Sequence, residues 1–461
     1  MKKSAEKISP VVLKFGGSSV AEIKHWKTIV ERLKLELAKD RAPVLVLSAL
    51  KDVSNTLEGI LHLAKSGDFQ NAIDQLIEKH TNFATQLDLS VESQLNHYGR
   101  QLAEYSEEIY KQQSITPGMH AKVLAIGELM STTIGHAFIC QSGVAATWYD
   151  ARELLVAERQ PDQWHHFTSA VCNFEYSSQL SKQMFSPSNE ASVVVTQGFI
   201  ASDDQGNTVL LGREGSDTTA AYLAAKLGAN ELQIWTDVTG VFSANPADVS
   251  TALQIDKLSY AQAHTMAVFG AKVLHPKVIR PIATNQISLS VRSTWFPKHH
   301  GTQIISSDNL SNGPLAVTMI PSSTIFKIEK NSHTAAKVSQ ILAQIAELGF
   351  DILLRQSDER FEQIALKYTN TDTPIPTVTD LVRDLNIQPD NIFLKGDLLS
   401  IIGSRVNSSW MTSASSVVQR ICGPSAELQL ISQEEGRISF YVDNSVSNMQ
   451  LKEIHDKLFA A

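Results

Sequence analysis

The chain has 461 residues, and its 40 Lys and Arg against 48 Asp and Glu give a formal net charge of −8. A single hydrophobic core rarely extends past about 250–300 residues, so we expect two or three domains. Hydrophobic residues at 43% and charged residues at 19% exclude a disordered or fibrous chain. The mild acidity argues against a nucleic acid or an anionic membrane as the partner.

The three cysteines, Cys140, Cys172 and Cys422, are widely scattered and predict neither a disulfide framework nor a zinc site. The first ten residues contain no apolar core of a signal peptide. No run approaches the ~18 apolar residues that a membrane helix needs. We therefore expect a soluble, cytoplasmic protein with no membrane partner.

Short apolar runs alternate with amphipathic helical stretches over about the first 300 residues. Strands are predicted at 11–15, 43–49, 192–200, 208–212, 232–236 and 287–291, and helices at about 22–37 and 218–228. Continuous Val, Ile and Leu runs separated by helices are typical of a parallel sheet that is covered on both faces. Residues 58–135 show helical periodicity with few strand signals, which predicts a helical insertion.

A Ser-, Asn- and Gly-rich stretch at 306–314 predicts a linker. An internal repeat follows it. The first unit is predicted as strand 324–329, helix 335–349, strands 350–354 and 362–368, and helix 378–385; the second as strand 398–403, helix 413–422, strands 427–431 and 437–442, and helix 446–459. This order predicts two ferredoxin-like modules. They are either purely structural or sensors of small ligands, and the element order alone favours neither.

Two adjacent glycines, Gly16 and Gly17, stand where the first predicted strand turns into a helix. Glycine lets backbone N–H groups approach a phosphate, and the N-terminus of a helix favours the anion. Lys14 adds a charge that could bridge phosphate oxygens. Neither the Walker nor the Rossmann spacing is present. An ordinary Gly-Gly turn beside a lysine is an equally weighted alternative.

A second Gly-rich turn, at 212–219, again lies between a strand and a helix. Arg213 offers a bidentate fork for a carboxylate, and Asp217 could hold an ammonium group, a pair that suits an α-amino acid. The structural alternative is that Ser216 or Asp217 caps the following helix, and we expect capping in either case.

The two His-His pairs, at 165–166 and 299–300, lack the spacing of a metal site, and we interpret them as solvated loop residues. Any metal is expected to be Mg²⁺ held by phosphate oxygens and one or two carboxylates.

Together these segments resemble the aspartate kinases of the amino-acid kinase family. The motifs LKFGGSSV, VLSALKDVSNTL, IGELMS, TQGF, GREGSD, WTDVTGVF, FGAKVLHP and HGTQI follow the order and approximate spacing of that family. The paired modules resemble its tandem ACT regulatory domains. The resemblance implies an α/β amino-acid-kinase domain over residues 1–305, a first ACT-like module over 315–390 and a second over 391–461.

This resemblance implies ATP-dependent phosphorylation of the side-chain carboxylate of L-aspartate to 4-phospho-L-aspartate, the first step toward lysine, threonine and methionine. ATP and Mg²⁺ are the implied cofactors. Residues 354–358 differ from the Thr-Thr-Ser-Glu run of lysine-sensitive relatives, so lysine, threonine and no effector at all stay open. A homodimer or higher homo-oligomer through the ACT modules is also implied. A carboxylate is already ionised at pH 7, so the reaction needs no general base.

Site residues are carried over by position in the matching motifs. Catalytic roles are implied for Lys14 and Asp217. Contacts with the nucleotide are implied for Lys14, Phe15, Gly16, Gly17, Thr236, Asp237, Phe242, Lys272 and Val273. Contacts with aspartate are implied for Ser54, Glu128, Arg213, Ser216 and Asp217.

The chain also departs from the family pattern at several positions. Glu214 replaces a glycine, Ala247 replaces an arginine, Gln262 and His264 replace glutamates, and Lys51-Asp52 replaces a small residue and a glycine. Loss of one phosphate contact costs about 1–3 kcal/mol, or tenfold or more in affinity. These changes motivate an alternative function, a weakened kinase homologue that senses or binds an amino acid.

Overall fold

The structure is a computed structural model that describes residues 9–185, 192–271, 274–306, 313–329, 350–357, 361–368, 392–403, 408–426, 428–432, 436–442 and 445–459. The chain divides into two compact units. The first comprises Met1–Val241, Asp256–Tyr260 and Leu274–Ser306, and the second comprises Phe242–Ile255, Ala261–Val273 and Ser307–Ala461. The sequence did not predict that 242–255 and 261–273 belong with the C-terminal part. The three predicted domain boundaries stay predictions.

Residues 10–305 contain both helices and strands. In order they are β1 (Pro10–Phe15), α1 (Gly17–Val20), α2 (Ile23–Leu37), β2 (Ala42–Leu47), α3 (Val53–Ser66), α4 (Gln70–Gln86), α5 (Glu92–Gln112), α6 (Pro117–Gln141), β3 (Ala146–Tyr149), α7 (Ala151–Leu154), α8 (Gln163–Thr168), α9 (Ser178–Met184), β4 (Val193–Gln197), β5 (Ile200–Ser202), β6 (Thr208–Leu210), α10 (Gly215–Leu227), β7 (Glu231–Thr236), β8 (Val241–Phe242), β9 (Gln254–Ile255), β10 (Lys257–Ser259), α11 (Tyr260–Val268), α12 (Pro276–Thr284), β11 (Ser288–Ser293) and β12 (Thr302–Ile305).

An eight-stranded sheet forms the centre of the first unit, in the order β10-β12-β11-β7-β1-β2-β4-β3. Its pairings are parallel except for β11 with β12. Strands β1 and β2 are almost wholly buried, as their continuous apolar sequences require. Helices α2, α6 and α10 pack against the sheet. The predicted α/β fold with a mostly parallel sheet is confirmed, and so is the helical insertion, which forms α3 to α6.

The prediction that residues 208–212 form a strand of the parallel sheet is wrong. Its residues form β6, which pairs antiparallel with β5 in a separate two-stranded ribbon. The predicted strand at 192–200 is also interrupted, because Phe199 adopts a left-handed backbone (φ 69°) between β4 and β5. The chain therefore leaves the sheet at residue 198, and this break forms one wall of the site described below.

Helix α6 does not overturn the expectation that no stretch crosses a membrane. By length and composition alone this 25-residue helix could do so, but 72% of its most apolar window is buried inside the protein. It packs against β2, β3 and β4 and against helices of the insertion. A helix that is apolar around its whole circumference is expected at the centre of a large core, and α6 has that role here.

The second unit contains a six-stranded antiparallel sheet in the order β14-β15-β13-β16-β18-β17. Its elements are β13 (Pro314–Glu329), β14 (Phe350–Ser357), β15 (Phe361–Tyr368), β16 (Ile392–Gly403), α13 (Ser408–Cys422), β17 (Leu428–Ser432), β18 (Arg437–Val442) and α14 (Asn448–Phe459). The predicted helices at 335–349 and 378–385 lie outside the described residues. Helices α13 and α14 of the second repeat lie close to their predicted positions.

Both repeats contribute one long strand to the middle of this sheet. The sequence predicts these strands at 324–329 and 398–403, whereas β13 and β16 extend much further and pair with each other from Pro314 to Phe326. Each also pairs with a strand of its own repeat, β13 with β15 and β16 with β18. The two repeats therefore share one continuous sheet.

Two glycines in helices should respond oppositely to the same substitution. A methyl group at Gly135 of α6 would lie 2.5 Å from Cδ1 of Leu47 and 2.8 Å from the ring of Trp26, whereas one at Gly59 of α3 would meet nothing within 4 Å. We expect Gly135→Ala to lower the free energy of unfolding by about 1–3 kcal/mol through overpacking. Gly59→Ala should raise it by about 0.5–1 kcal/mol through helix propensity. Urea denaturation measures both, and a stabilising Gly135→Ala would contradict this packing.

Candidate active site

The first Gly-rich turn lies at the carboxyl end of β1, in the middle of the parallel sheet. The N–H of Gly16 donates to the carbonyl oxygen of Trp235 at the end of β7 (3.2 Å), and the carbonyl oxygen of Gly16 accepts from the N–H groups of Ser19 and Val20. A Cβ at Gly17 would lie 3.0 Å from the carbonyl oxygen of Ala49. A larger residue at Gly17 would therefore displace the loop after β2 by a few tenths of an ångström.

This turn differs in one respect from its prediction. The helix that follows directly is α1, which has only four residues, and the long amphipathic helix α2 begins at Ile23. A helix this short has a weak dipole, because the dipole is a sum over aligned peptide units. Positive potential at this turn therefore depends mainly on the side chain of Lys14.

Lys14 and Asp217 form a buried ion pair that joins the two Gly-rich turns. The distance from Nζ of Lys14 to Oδ1 of Asp217 is 2.6 Å, and the side chains are only 10% and 7% exposed. Lys14 lies near the end of β1, and Asp217 lies in the first turn of α10. Residues two hundred positions apart thus meet at the carboxyl edge of the sheet. Removing either partner would leave an uncompensated charge, which typically costs 3–5 kcal/mol.

The second Gly-rich turn is held against the end of β4. The N–H of Gly198 donates to the carbonyl oxygen of Leu47 (2.8 Å), and a Cβ at Gly198 would collide with Ser216. The N–H of Phe199 donates to Oγ1 of Thr219 (2.9 Å). These contacts fix the first turn of α10, and with it Ser216, at the edge of the sheet.

The predicted capping of this helix is wrong. Helix α10 begins at Gly215, so Ser216 and Asp217 lie inside its first turn. The residue at the N-cap is Glu214, which has a left-handed backbone (φ 52°) and makes no side-chain capping hydrogen bond. Asp217 directs its carboxylate at Lys14 instead.

Charged groups surround this turn. Arg213 is exposed, and its charge acts on Glu214 and on His275 at the start of α12. Burial lowers the pKa of His275 to about 4, with the charges of Lys277 and Arg213 adding to the effect. The imidazole is therefore neutral at pH 7, and its Nδ1 accepts from the N–H of Lys277 (3.2 Å). The sequence reasoning assigned His275 no role, although it lies in the motif FGAKVLHP.

Glu128 of α6 lies beneath the loop that follows β2. It is 3% exposed, and its Oε1 accepts from the N–H of Ala49 (3.4 Å). Within the described residues its Oε2 is buried and has no hydrogen-bond partner. Burial raises the pKa of Glu128 to about 8. Oγ of Ser131 donates to the carbonyl oxygen of Ser48 (2.7 Å) and fixes the same loop on α6.

Ser54 is half-buried in the first turn of α3, immediately after that loop. The loop that precedes Ser54 lies close to the turn around Gly17, where an added Cβ would be 3.0 Å from the carbonyl oxygen of Ala49. The predicted substrate residues Ser54 and Glu128 thus flank one loop.

The predicted nucleotide residues are only partly brought together. Thr236 ends β7, and its hydroxyl donates to the exposed carboxylate of Asp237 (3.1 Å). Oγ of Ser19 lies 2.7 Å from Oγ1 of Thr294. The backbone N–H of Thr294 donates to the carbonyl oxygen of Thr236 (2.9 Å). Phe242 ends β8, is half-buried and belongs to the second unit. Lys272 and Val273 lie outside the described residues.

In the described part of the chain, no group of three or more His, Cys, Asp or Glu side chains could hold a metal ion. The His-His pair at 165–166 is not a solvated loop as predicted, because it lies in α8. His165 pairs with Asp162 (2.7 Å), and His166, only 12% exposed, lies 3.5 Å from Asp203.

Comparison with known proteins identifies the family. The family model described as the amino acid kinase family matches residues 9–293, well over half of the chain. The chain belongs to the amino acid kinase family. The match covers both Gly-rich turns and every strand of the parallel sheet except β12.

Two relatives illustrate how far the family likeness extends. Lysine-sensitive aspartokinase 3 of Escherichia coli (strain K12) is 29% identical over 367 residues, which cover 78% of this chain and 79% of the relative. The chloroplastic bifunctional aspartokinase/homoserine dehydrogenase 1 of Arabidopsis thaliana is 32% identical over 306 residues, which cover 64% of this chain. The matched residues make up 32% of the length of that longer protein.

The fold likeness extends beyond the family match. The crystal structure of E. coli aspartokinase III in complex with aspartate and ADP has a TM-score of 0.80 to this chain at 24% identity, covering 98% of this chain and 99% of the other. At that identity the likeness shows a shared fold, and the shared fold includes the C-terminal repeats.

Because Glu128 is buried, the free energy of unfolding should depend on pH. Because its folded-state pKa of about 8 lies above the ordinary value of 4.5, the folded protein keeps a proton that the unfolded chain releases between these pH values. Stability should therefore fall as the pH rises through this window. Glu128→Gln cannot ionise, so its free energy of unfolding should exceed that of the wild type by a few kcal/mol at pH 8, and by much less at pH 5.

Urea denaturation at the two pH values measures the difference. The exposed Glu104→Gln of α5 is the matched control and should differ from the wild type equally at both. An effect of Glu128→Gln that does not change with pH would contradict the raised pKa.

Proposed function

We propose that this chain is an aspartate kinase, which transfers the γ-phosphoryl group of ATP to the side-chain carboxylate of L-aspartate and yields 4-phospho-L-aspartate and ADP. The observation that carries the proposal is the buried ion pair of Lys14 and Asp217, which connects the two Gly-rich turns. The E. coli relative named as an aspartokinase supports it, and so does the shared fold with a structure that holds aspartate and ADP.

The chemistry of this reaction fits the residue types at the site. A carboxylate nucleophile is already ionised at neutral pH, so the enzyme needs to align the reactants and neutralise charge rather than remove a proton. Lys14 supplies a cation beside the Gly-rich turn, where it would stabilise the charge that spreads over the transferred phosphoryl oxygens. Asp217 holds the ammonium group of Lys14 in place at 2.6 Å, so it is a positioning residue in this proposal.

Aspartate would bind at the second turn and the loop after β2. The exposed guanidinium of Arg213 suits a carboxylate of the substrate, because its planar fork matches carboxylate geometry. Ser54, Ser216 and Glu128 would complete the site. The carboxyl group of Glu128 is protonated at neutral pH, because its pKa is raised to about 8, and its unpartnered Oε2 is a buried polar atom that a substrate carboxylate could satisfy. Asp217 is already engaged by Lys14, which limits its part in holding aspartate directly.

The nucleotide would bind along the ends of β1 and β7. Contacts are proposed for the residues that the resemblance implies, namely Lys14, Phe15, Gly16, Gly17, Thr236, Asp237, Phe242, Lys272 and Val273. Mg²⁺ would enter with the phosphates and take most of its ligands from them and from water, which fits the lack of a three-ligand cluster among the described residues. Asp237 is the exposed carboxylate of this chain that would add to its shell.

The C-terminal unit is proposed to be regulatory. Its two repeats share one sheet, as expected for ACT-like modules over 315–390 and 391–461. Lysine or threonine is the proposed effector, and the lysine sensitivity in the name of the E. coli relative favours lysine. Assembly into a homodimer or higher homo-oligomer through these modules and a cytoplasmic location complete the proposal.

The binding-protein alternative rests on Glu214, Ala247, Gln262 and His264. The relatives do not favour it, because those that match over most of their length are named as aspartokinases. The ion pair that phosphoryl transfer needs is also intact.

Replacing Lys14 tests the proposal directly. We expect Lys14→Ala to lower kcat for aspartate-dependent ADP release by at least a hundredfold, because it removes the cation at the transferred group. Asp217→Asn should lower kcat by tenfold or more while the KM for aspartate changes little, because the amide no longer fixes Lys14. A coupled assay of ADP release with saturating Mg-ATP measures both.

Lys27→Ala is the matched control, since Lys27 is an exposed lysine on α2, and it should leave both constants unchanged. Wild-type protein that releases no ADP with aspartate at saturating ATP would refute the kinase proposal. Wild-type rates in Lys14→Ala would refute the role of the ion pair.

Effector control makes a separate prediction. L-lysine or L-threonine added to the full chain should lower the initial rate of aspartate-dependent ADP release, and the D-enantiomers should not, because a built site discriminates between stereoisomers. Initial rates across an L-amino-acid panel measure this effect. A rate that no L-amino acid changes would contradict a regulatory function for the C-terminal unit.

A further inference from the structure

Two arginines lie beside one tryptophan on the face of the parallel sheet that meets α2. Phe15, Trp235 and Arg292 are register partners on the neighbouring strands β1, β7 and β11, so their side chains form a row on this face. Phe15 stacks on Trp235 with 5.5 Å between the ring centroids. The guanidinium carbon of Arg292 lies 5.7 Å from a ring centroid of Trp235, and that of Arg32 on α2 lies 5.4 Å from it. Two cations therefore converge on one aromatic side chain.

The surrounding protein does not neutralise these two cations. Among the residues that the structure describes, neither guanidinium forms an ion pair with a carboxylate. Two acidic side chains on the same face, Glu36 and Glu231, both pair with Arg41, at 3.0 and 2.6 Å. Nε of Arg292 donates to Oγ of Ser290 (3.2 Å), which is a neutral acceptor. The pair of guanidinium groups is therefore left without a counter-charge of its own.

Arg32 is held in this position at a cost to the folded protein. Its Nε is buried and has no hydrogen-bond partner in the described part of the chain. A buried donor without an acceptor is destabilising, and such groups are rare in native proteins. Burial lowers the pKa of Arg32, and the charge of Arg292 lowers it further. Glu31 and Glu36 act in the opposite direction, with a smaller effect than that of Arg292.

Stacking on the tryptophan ring does not account for a pair of arginines. A tryptophan ring attracts a cation, but a second cation beside the first is repelled by it. Both side chains are only half-buried, so a ligand from solvent can reach them. A ligand with several acceptor oxygens and a negative charge would remove both the repulsion and the cost of the unpartnered N–H group.

The arrangement of the donors indicates the class of ligand. A guanidinium offers up to five N–H donors in a planar fork that matches the oxygens of carboxylates and phosphates. Arg32 approaches from a helix and Arg292 from a strand, so their donors come from two directions. Oxygens at the corners of a tetrahedron suit such donors better than the two coplanar oxygens of a carboxylate. Two positive charges likewise favour a doubly charged anion.

This pair is separate from the site of the proposed reaction. Successive side chains of a strand point to opposite faces of the sheet, so Lys14 and Phe15 lie on opposite faces of β1. Lys14 meets Asp217 of α10 on its own face. An anion at the two arginines is therefore a different ligand from the phosphoryl group that Lys14 would stabilise.

We propose that Arg32 and Arg292 form a binding site for a phosphate group, either free inorganic phosphate or the phosphate of a small phosphomonoester. The N–H groups of both guanidiniums are the donors, and they include the unpartnered Nε of Arg32. Oγ of Ser290 holds the guanidinium of Arg292 from the side. The aromatic row beneath supports both groups without competing for the oxygens.

Calorimetric titration of inorganic phosphate into the full chain, at constant ionic strength in chloride, tests the proposal. We expect Arg292→Gln and Arg32→Gln each to raise the Kd for phosphate at least tenfold. Phosphate bound at the first Gly-rich turn would be unaffected by either change. Sulfate should compete with phosphate, whereas acetate at the same concentration should not.

Two further variants control for charge and for folding. Arg292→Lys keeps the charge and removes the planar fork, so its Kd should lie between those of the wild type and Arg292→Gln. It also decides the matter if the Gln variants do not fold. Arg100 is an exposed arginine on α5, and Arg100→Gln is the matched control that should leave the Kd unchanged.

The possible outcomes separate clearly. A wild type that binds no phosphate would overturn the proposal, and so would a Kd that no change at Arg32 or Arg292 alters. Acetate binding as tight as that of phosphate would overturn the assignment to a doubly charged oxyanion. Titration with glycerol 3-phosphate distinguishes the two sources. Tighter binding than that of inorganic phosphate supports a phosphomonoester, and weaker binding supports free phosphate.

Discussion

The buried ion pair between Lys14 and Asp217 is the interaction on which the architecture of the site depends. An isolated charge in this position would be strongly unfavourable, so each residue requires the other. Pairing them requires the end of β1 to meet the start of α10, although about two hundred residues separate them. The close contact of Gly198 with Ser216 and the hydrogen bond from Gly198 to Leu47 place α10 where this meeting is possible.

The topology of the parallel sheet explains why residues that are distant in the chain meet at this site. In a parallel sheet all carboxyl ends lie at one edge, so loops that are distant in the chain share one crevice. Strands β1, β2, β4 and β7 are neighbours or near neighbours in the sheet. The loops after β1 and β2 supply the first Gly-rich turn and the segment above Glu128, and the second Gly-rich turn, which follows β6, is held against the end of β4. Helix α6 supports this edge from within the core, which explains why so apolar a helix carries one buried glutamate.

Two glutamates at the site lower the stability of the folded protein, because each places a polar group in the interior. Glu128 and Glu214 each have one buried carboxyl oxygen without a hydrogen-bond partner among the described residues, and burial raises the pKa of both. Costs of this kind are concentrated at functional sites, where a ligand supplies the missing partner.

The sheet of the C-terminal unit avoids a different unfavourable feature, a long strand with unpaired backbone groups at its edge. Strands β13 and β16 pair with each other as well as within their own repeats, so neither repeat leaves its long strand as an open edge.

The sequence by itself determined the features that depend on local pattern. Apolar runs predicted β1, β2 and β7, helical periodicity predicted the insertion, and glycines predicted both turns. The motifs that these residues form indicated the family. Only the tertiary structure decided the features that depend on distant residues. It paired Asp217 with Lys14 instead of leaving it to cap α10, it separated β6 from the main sheet, and it joined the two repeats through β13 and β16. Burial and strand pairing are set by contacts across the whole fold, and no local pattern encodes them.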